Sequence, residues 1–212
     1  MAHLIDISPT ISARIGVWPG DTPYSYTPNL EIAKGANIDL GEITSTVHLG
    51  AHADSASHYA GAGEGVEARS IDRYYGACQV IAVDVARGAR ILPGDLPPGP
   101  FAERLLVSTG TFPDPDNFNE DFASFSGEVL EFLADQGVTL VGIDSPSVDL
   151  FADKSLEAHQ VLFSRDLCVL EGLVLEHVTP GRYTLIALPL KLEGADGSPV
   201  RAALVPLDTD NA

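Results

Sequence analysis

Apolar residues recur along this chain in short runs punctuated by Pro, Gly and Asp, a rhythm of brief strands joined by turns. The aliphatic and β-branched stretches Leu4–Ile11, Ile38–His48, Cys78–Val85, Arg104–Thr109, Val138–Ile143, Cys168–Glu171 and Tyr183–Leu190 read as strands. One helix is well marked: Ser126 can cap it, Val129, Leu130, Phe132 and Leu133 supply its apolar stripe, and Gly137 ends it. A second helix is expected over Leu156–Arg165, with Leu156, His159 and Phe163 on one face. The Pro- and Gly-rich segments Leu92–Pro100 and Phe112–Asn117 read as loops. A helix followed directly by Val138–Ile143 favours a mixed sheet with helices packed on it, so the expectation is one β-rich α/β domain over residues 1–212.

Composition narrows the partners. Thirty acidic residues against twelve Lys and Arg leave a net charge of −18, which would repel nucleic-acid phosphates and anionic lipids. No apolar run approaches the ~20 residues that span a bilayer, so neither nucleic acid nor membrane is an expected partner. The opening MAHLIDISPT lacks a basic patch followed by an apolar stretch, so no signal peptide is expected and the location expected is cytoplasmic. Cys78 and Cys168 both sit among apolar neighbours and read as small buried hydrophobes.

Candidate chemistry is concentrated in Thr46–Tyr59, TVHLGAHADSASHY, where His48, His52, Asp54 and His58 fall within eleven positions. All four are even-numbered, so an extended backbone would point them to one side. A straight strand would still separate His48 from Asp54 by about 20 Å, too far for a shared ion. The segment must bend, and Gly50, between Leu49 and Ala51, is where a bend costs least. Imidazole and carboxylate are the ligand set of catalytic zinc, and also of non-haem iron or manganese. The competing reading is a polar cluster of core or surface histidines without a metal, and four titratable groups interleaved with Gly and Ala are harder to explain by packing than by a shared ion.

Two distant residues are candidates to complete this cluster. Glu171 lies in the apolar stretch CVLEGLV and needs a cation or strong donors if buried, with Arg165 or Lys191 as alternative salt-bridge partners. His159 shares a presumed helix face with apolar residues, where a satisfied core histidine is the commoner outcome. Trp18, in VWPGD, sits on a turn and can either line a pocket or clamp the turn to the core.

The string HLGAHADSASH from His48 to His58 resembles the cyclase-family signature H-x-G-T-H-x-D-x-P-x-H. DISPTI, VWPGDTP, STGTFPDP, NEDF and VGIDSPSVD resemble the bacterial kynurenine formamidase branch of that family. Ala51 stands where the signature has Thr. Ala56 stands where it has Pro, which removes a fixed φ between the candidate ligands and His58.

The resemblance implies a swivelling β/β/α fold, a homodimer, and hydrolysis of N-formyl-L-kynurenine to L-kynurenine and formate in tryptophan breakdown. It also implies two zinc ions per subunit, with manganese or another divalent metal as the alternative. His48, His52 and Asp54 would hold the first ion. Asp54 would bridge to a second held by His159 and Glu171. His58 would be the catalytic acid/base and Trp18 a substrate contact. Competing readings are a hydrolase of the same fold acting on another amide or an isatin-like lactam, a non-haem iron enzyme, and a non-catalytic metal-binding module.

Overall fold

The computed structural model describes residues 3–207. Its strands, in chain order, are β1 (Ile5–Asp6), β2 (Ser25–Leu30), β3 (Leu40–Thr44), β4 (His52–Asp54), β5 (Tyr75–Ala82), β6 (Arg90–Ile91), β7 (Arg104–Ser108), β8 (Ser124–Phe125), β9 (Leu140–Ile143), β10 (Cys168–Glu171), β11 (Gly181–Ile186), β12 (Gly197–Pro199) and β13 (Ala203–Pro206). Three α-helices accompany them: α1 (Ala56–Tyr59), α2 (Gly127–Asp135) and α3 (Glu157–Ser164).

Nine strands form one mixed sheet in the order β1-β13-β11-β5-β7-β9-β10-β4-β12. Its middle, β5-β7-β9-β10, is parallel, and every other neighbouring pair is antiparallel. Parallel strands buried on both faces have no polar side, which is why they read in the sequence as unbroken apolar runs. Leu105, Val107, Val141, Ile143 and Val169 face one way, into a core shared with Val129, Leu130 and Leu133 of α2 and Ala158 and Leu162 of α3. Their neighbours Leu106, Leu140 and Leu170 face the other way, into a core with Leu185 and Leu204. Both ends of the described chain join the same sheet, since β1 pairs with β13.

The α2 signals act as expected. Ser126 Oγ accepts the Val129 N–H at 3.1 Å, and Gly137 adopts φ +84° just beyond the helix. The second helix is one residue shorter at each end than expected, and its buried face differs. Ala158, His159 and Leu162 are buried while Phe163 is 47% exposed, so the His159 face does not include Phe163. Leu156, expected to start that helix, sits just before it at φ +53°.

Other differences are in extent. Ile38–His48 shortens to β3, because the chain leaves the strand before the bend at Gly50. Leu4–Ile11 shortens to β1, interrupted by Pro9. The hairpin β2–β3 stands apart from the main sheet, with every residue of both strands exposed.

Candidate metal centre

The bend expected at Gly50 is present: this residue adopts φ +57°, a left-handed conformation that glycine reaches at no steric cost. It separates His48 from the short strand β4. On β4, His52 and Asp54 point to one face and Ala53 to the other, as period-2 geometry requires. β10 lies antiparallel beside it, with Glu171 opposite His52 and Val169 opposite Asp54. Residues in register share a face, so Glu171 joins His52 and Asp54 on the side covered by α3. His159 reaches the same point from that helix.

The result is a buried cluster. His52, Asp54, His159 and Glu171 are each only 3% exposed. His48 Nδ1 lies 2.9 Å from Asp54 Oδ1, and His52 Nε2 lies 3.4 Å from the same oxygen. His52 Nε2 is 3.1 Å from Glu171 Oε2. His159 Nε2 is 3.5 Å from Asp54 Oδ2 and 3.8 Å from Glu171 Oε1. Two donor sets are compact enough to hold an ion, His52–Asp54–Glu171 and His48–Asp54–His58. Asp54 belongs to both.

Three of the ligand candidates, His52, His159 and Glu171, are contacted from behind. Gly50 O lies 2.9 Å from His52 Nδ1, and Asp149 Oδ2 lies 2.8 Å from His159 Nδ1. Glu171 Oε1 accepts the Val148 backbone N–H at 2.7 Å. Such contacts leave the inward nitrogens and oxygens aimed at each other. The alternative partners for Glu171 are otherwise placed, with Arg165 bound to Glu131 and Asp135 and Lys191 exposed.

Electrostatics and donor chemistry agree with a cation site. Asp54 Oδ2 and His159 Nε2 are buried side-chain atoms with no hydrogen-bond partner, and they face each other. Buried polar atoms are rarely left so, and a divalent ion satisfies both. Burial by itself would drive His52 and His159 neutral, but the adjacent carboxylates outweigh it. His52 is raised well above its ordinary value by Asp54 and Glu171. His159 is pushed up to about 10 by Asp149 and Asp54. Burial alone would raise Asp54, yet the imidazoles of His159, His48 and His52 beside it hold it well below the usual carboxylate range. Imidazoles that attract a proton this strongly, around two carboxylates, will also attract a metal ion in its place.

His58 stands at the edge of the cluster on α1, exposed, its ring 4.1 Å from that of His48. Ala56 is the first residue of α1, the helical position where proline is favoured, and the helix forms without it. Trp18 lines the cavity above the cluster while its carbonyl accepts the Asp21 N–H in the turn, so it belongs to both pocket and turn. The cavity has a volume of about 430 Å³. Trp18, Phe112 and Phe118 form an aromatic part of its wall, with Trp18 edge-on to Phe118 at 5.8 Å and backed by the tilted ring of Phe151 at 4.9 Å, and His52, His159 and Glu171 line it as well.

Sequence reasoning did not single out Asp149, Asp144 or Asp196. Asp149 supports His159. Asp144 accepts the backbone N–H groups of Thr109 and Gly110 and shapes the cavity wall. Asp196 lies 3.1 Å from His48 Nε2 and 3.2 Å from His58 Nδ1. Asp144 and Asp149 fall within the VGIDSPSVD string, which marked the segment but not their roles, and Asp196 is one acid among thirty with no local pattern to mark it.

The mixed sheet thus delivers two carboxylates and several imidazoles to one cavity, a donor set that could hold a metal ion, as in a metal-dependent hydrolase. The chain belongs to the Cyclase family, whose model matches residues 5–150. It is 42% identical over 207 residues to a kynurenine formamidase of Bordetella avium, covering 96% of this chain and 98% of the relative. A solved structure described as a potential metal-dependent hydrolase with cyclase activity superposes with a TM-score of 0.80 at 26% identity, covering 96% of this chain and 98% of that one. Isatin hydrolase A from Labrenzia aggregata shares the fold, with a TM-score of 0.80 at 20% identity over 96% of this chain and 94% of that one.

Proposed function

We propose that this protein is an arylformamidase that hydrolyses N-formyl-L-kynurenine to L-kynurenine and formate, a step of tryptophan breakdown. The observation that carries the proposal is the buried His/Asp/Glu cluster opening into an aromatic-walled cavity, in a chain similar over nearly its whole length to a named kynurenine formamidase. In this reading two zinc ions per subunit are held by His48, His52 and Asp54, and by Asp54, His159 and Glu171. Manganese or another divalent metal is the alternative. Bound there, such ions would supply Lewis acidity at neutral pH.

The chain's own groups do the rest. Trp18 and Phe118 pack against the arylamine ring, placing the formyl group at the floor of the cavity. His58, exposed at the cluster's edge with Nδ1 turned to Asp196, presents Nε2 as the proton-transfer atom. It takes a proton as water adds to the formyl carbon and returns one to the departing arylamine nitrogen. Gly50, Val148 and Asp149 keep the ligand side chains from rotating.

The working unit is one domain over residues 1–212, consistent with both ends of the described chain joining one sheet. We read it as cytoplasmic, consistent with two buried free cysteines, and no helix among the described residues is long and apolar enough to cross a membrane. It acts as a homodimer. The β2–β3 hairpin supports this, because Tyr26, Leu40 and Ile43 are 56%, 48% and 66% exposed on an arm too small to be stable alone.

The test is hydrolysis of N-formyl-L-kynurenine before and after chelation, with metal content measured on the same sample. Activity lost on chelation and restored by zinc is expected. His58→Ala is expected to keep its metal and lose about 10²–10⁴-fold in kcat. A metal-loaded protein that does not turn over this substrate would overturn the substrate assignment. Turnover that survives metal removal would overturn the site.

A further inference from the structure

One carboxylate in this structure touches two of the histidines at once. Asp196 Oδ2 lies 3.1 Å from Nε2 of His48 and 3.2 Å from Nδ1 of His58. Each contact uses the ring nitrogen that faces away from the chemistry. His48 turns its other nitrogen, Nδ1, inward to Asp54 at 2.9 Å. His58 is left with Nε2 free to face the cavity that it lines. The two rings are held 4.1 Å apart, with one carboxylate oxygen within hydrogen-bond distance of both.

The backbone around Asp196 is built for this. Its carbonyl accepts the N–H of Ser55 at 2.9 Å, and Ser55 is the residue that precedes α1, the helix carrying His58. The preceding residue, Ala195, accepts the Val66 N–H at 2.9 Å, so the loop is pinned by main-chain bonds that do not involve the Asp196 side chain. The following residue, Gly197, leaves room for the His48 ring. A Cβ on Gly197 would lie 2.9 Å from His48 Cε1, closer than carbon atoms approach without one of them moving.

We infer that Asp196 is a positioning residue that sets the tautomer and orientation of His48 and His58 together, and so couples a metal ligand to the acid/base. A carboxylate accepting from Nδ1–H of His58 leaves Nε2 as the unprotonated nitrogen, the form a general base requires. The same oxygen accepting from Nε2–H of His48 leaves Nδ1 as the donor atom aimed at the cluster. This rests on the reading of His58 as the acid/base, and its test must be able to fail separately from that reading.

The experiment compares wild type, Asp196→Ala, Asp196→Asn, His58→Ala and the double variant Asp196→Ala/His58→Ala, all zinc-loaded. Thermal midpoints and metal content are recorded first, since the pinned loop predicts folded variants. Long-range nitrogen–proton NMR of the imidazoles is the readout independent of activity. Wild type should show His58 as the Nδ1–H tautomer, and Asp196→Ala should show a mixture. In hydrolysis of N-formyl-L-kynurenine, Asp196→Ala should lose about 10–100-fold in kcat with KM little changed. Asp196→Asn, which keeps an oxygen acceptor, should recover part of the loss. Removing Asp196 should cost less in the His58→Ala background than in wild type, because the part of its effect that runs through the His58 ring is already lost and only the part through His48 remains. An unchanged His58 tautomer in Asp196→Ala, or losses that multiply in the double variant, would overturn the inference. If wild type fails to turn over this substrate, the substrate assignment falls and the tautomer measurement still decides on Asp196.

Discussion

Asp149 and His159 are joined twice. Asp149 Oδ2 accepts the backbone N–H of His159 at 3.1 Å and lies 2.8 Å from its ring Nδ1. Its other oxygen accepts the N–H of Ala158 at 3.0 Å. Leu156 precedes α3 in a left-handed conformation and has no side chain that can cap, so Asp149 caps the helix from outside it. One buried carboxylate thereby fixes both where the helix starts and which way its histidine points. Asp149→Ala is expected to cost about 1–3 kcal/mol, the penalty of orphaned buried N–H groups, and to weaken metal affinity about 10–100-fold. Denaturant unfolding and chelator competition measure the two effects. Asp149→Asn should recover more of the stability than of the metal affinity, since an amide caps but orients the imidazole less strongly.

Gly172 is required where β10 ends. It has φ +63°, and a Cβ there would lie 2.2 Å from the carbonyl oxygen of Gly50. That carbonyl contacts His52 Nδ1, so pushing it away disturbs a candidate ligand directly. Gly172→Ala is expected to destabilise the fold by at least about 1–3 kcal/mol and to lower metal affinity. A variant with wild-type melting and wild-type metal binding would contradict the close approach.

Ala56 offers the opposite case. It occupies the first helical position of α1, and Ser55 before it is extended at φ −108°, ψ 163°, a conformation compatible with a following proline. Ala56→Pro should stabilise by about 0.4–1 kcal/mol, chiefly by restricting the unfolded chain. Metal content should not change. A fall in melting temperature would show that the ring does not fit against Gly63, which packs closely on Ala56.

Acid should weaken the edge that closes the sheet. Asp6 of β1 binds Arg201, which holds its carboxyl below the ordinary 3.8. A carboxylate whose pKa is lowered by folding contributes stability above its unfolded value and loses it as pH falls through the folded one. The pair is exposed, so its contribution is below about 1 kcal/mol. Asp6→Asn should therefore be slightly less stable than wild type at neutral pH, with the difference shrinking as acid takes the pH below the ordinary carboxylate value of 3.8 and through the lowered folded one. Urea unfolding at neutral and acid pH tests the sign.

The local part of this protein was legible in its residues. Strands β5, β7, β9 and β10 show as apolar runs because the sheet buries them on both faces. The α2 cap and stop residues act through bonds between near neighbours, and the bend at Gly50 follows from the short distance over which His48, His52 and Asp54 must meet. β4 left no such trace. His-Ala-Asp has no apolar alternation, and it is a strand because β10 and β12 pair with it. β2, β12 and β13 were likewise missed, being short, exposed or broken by proline.

What the residues determined by themselves was a candidate ligand set clustered within one bent segment, together with the family resemblance it carries. The tertiary structure alone decided how His159 and Glu171 reach it, from more than a hundred positions away. Glu171 arrives through the register of β10 on β4, and His159 through a helix started by Asp149. Only the folded chain could also reveal Asp196 bridging His48 and His58. Spacing along a chain constrains residues a few positions apart, because the backbone between them has few conformations. Strand register and loop placement depend on the packing of the whole core, and a lone acid in a loop carries no sign of which imidazole it will meet.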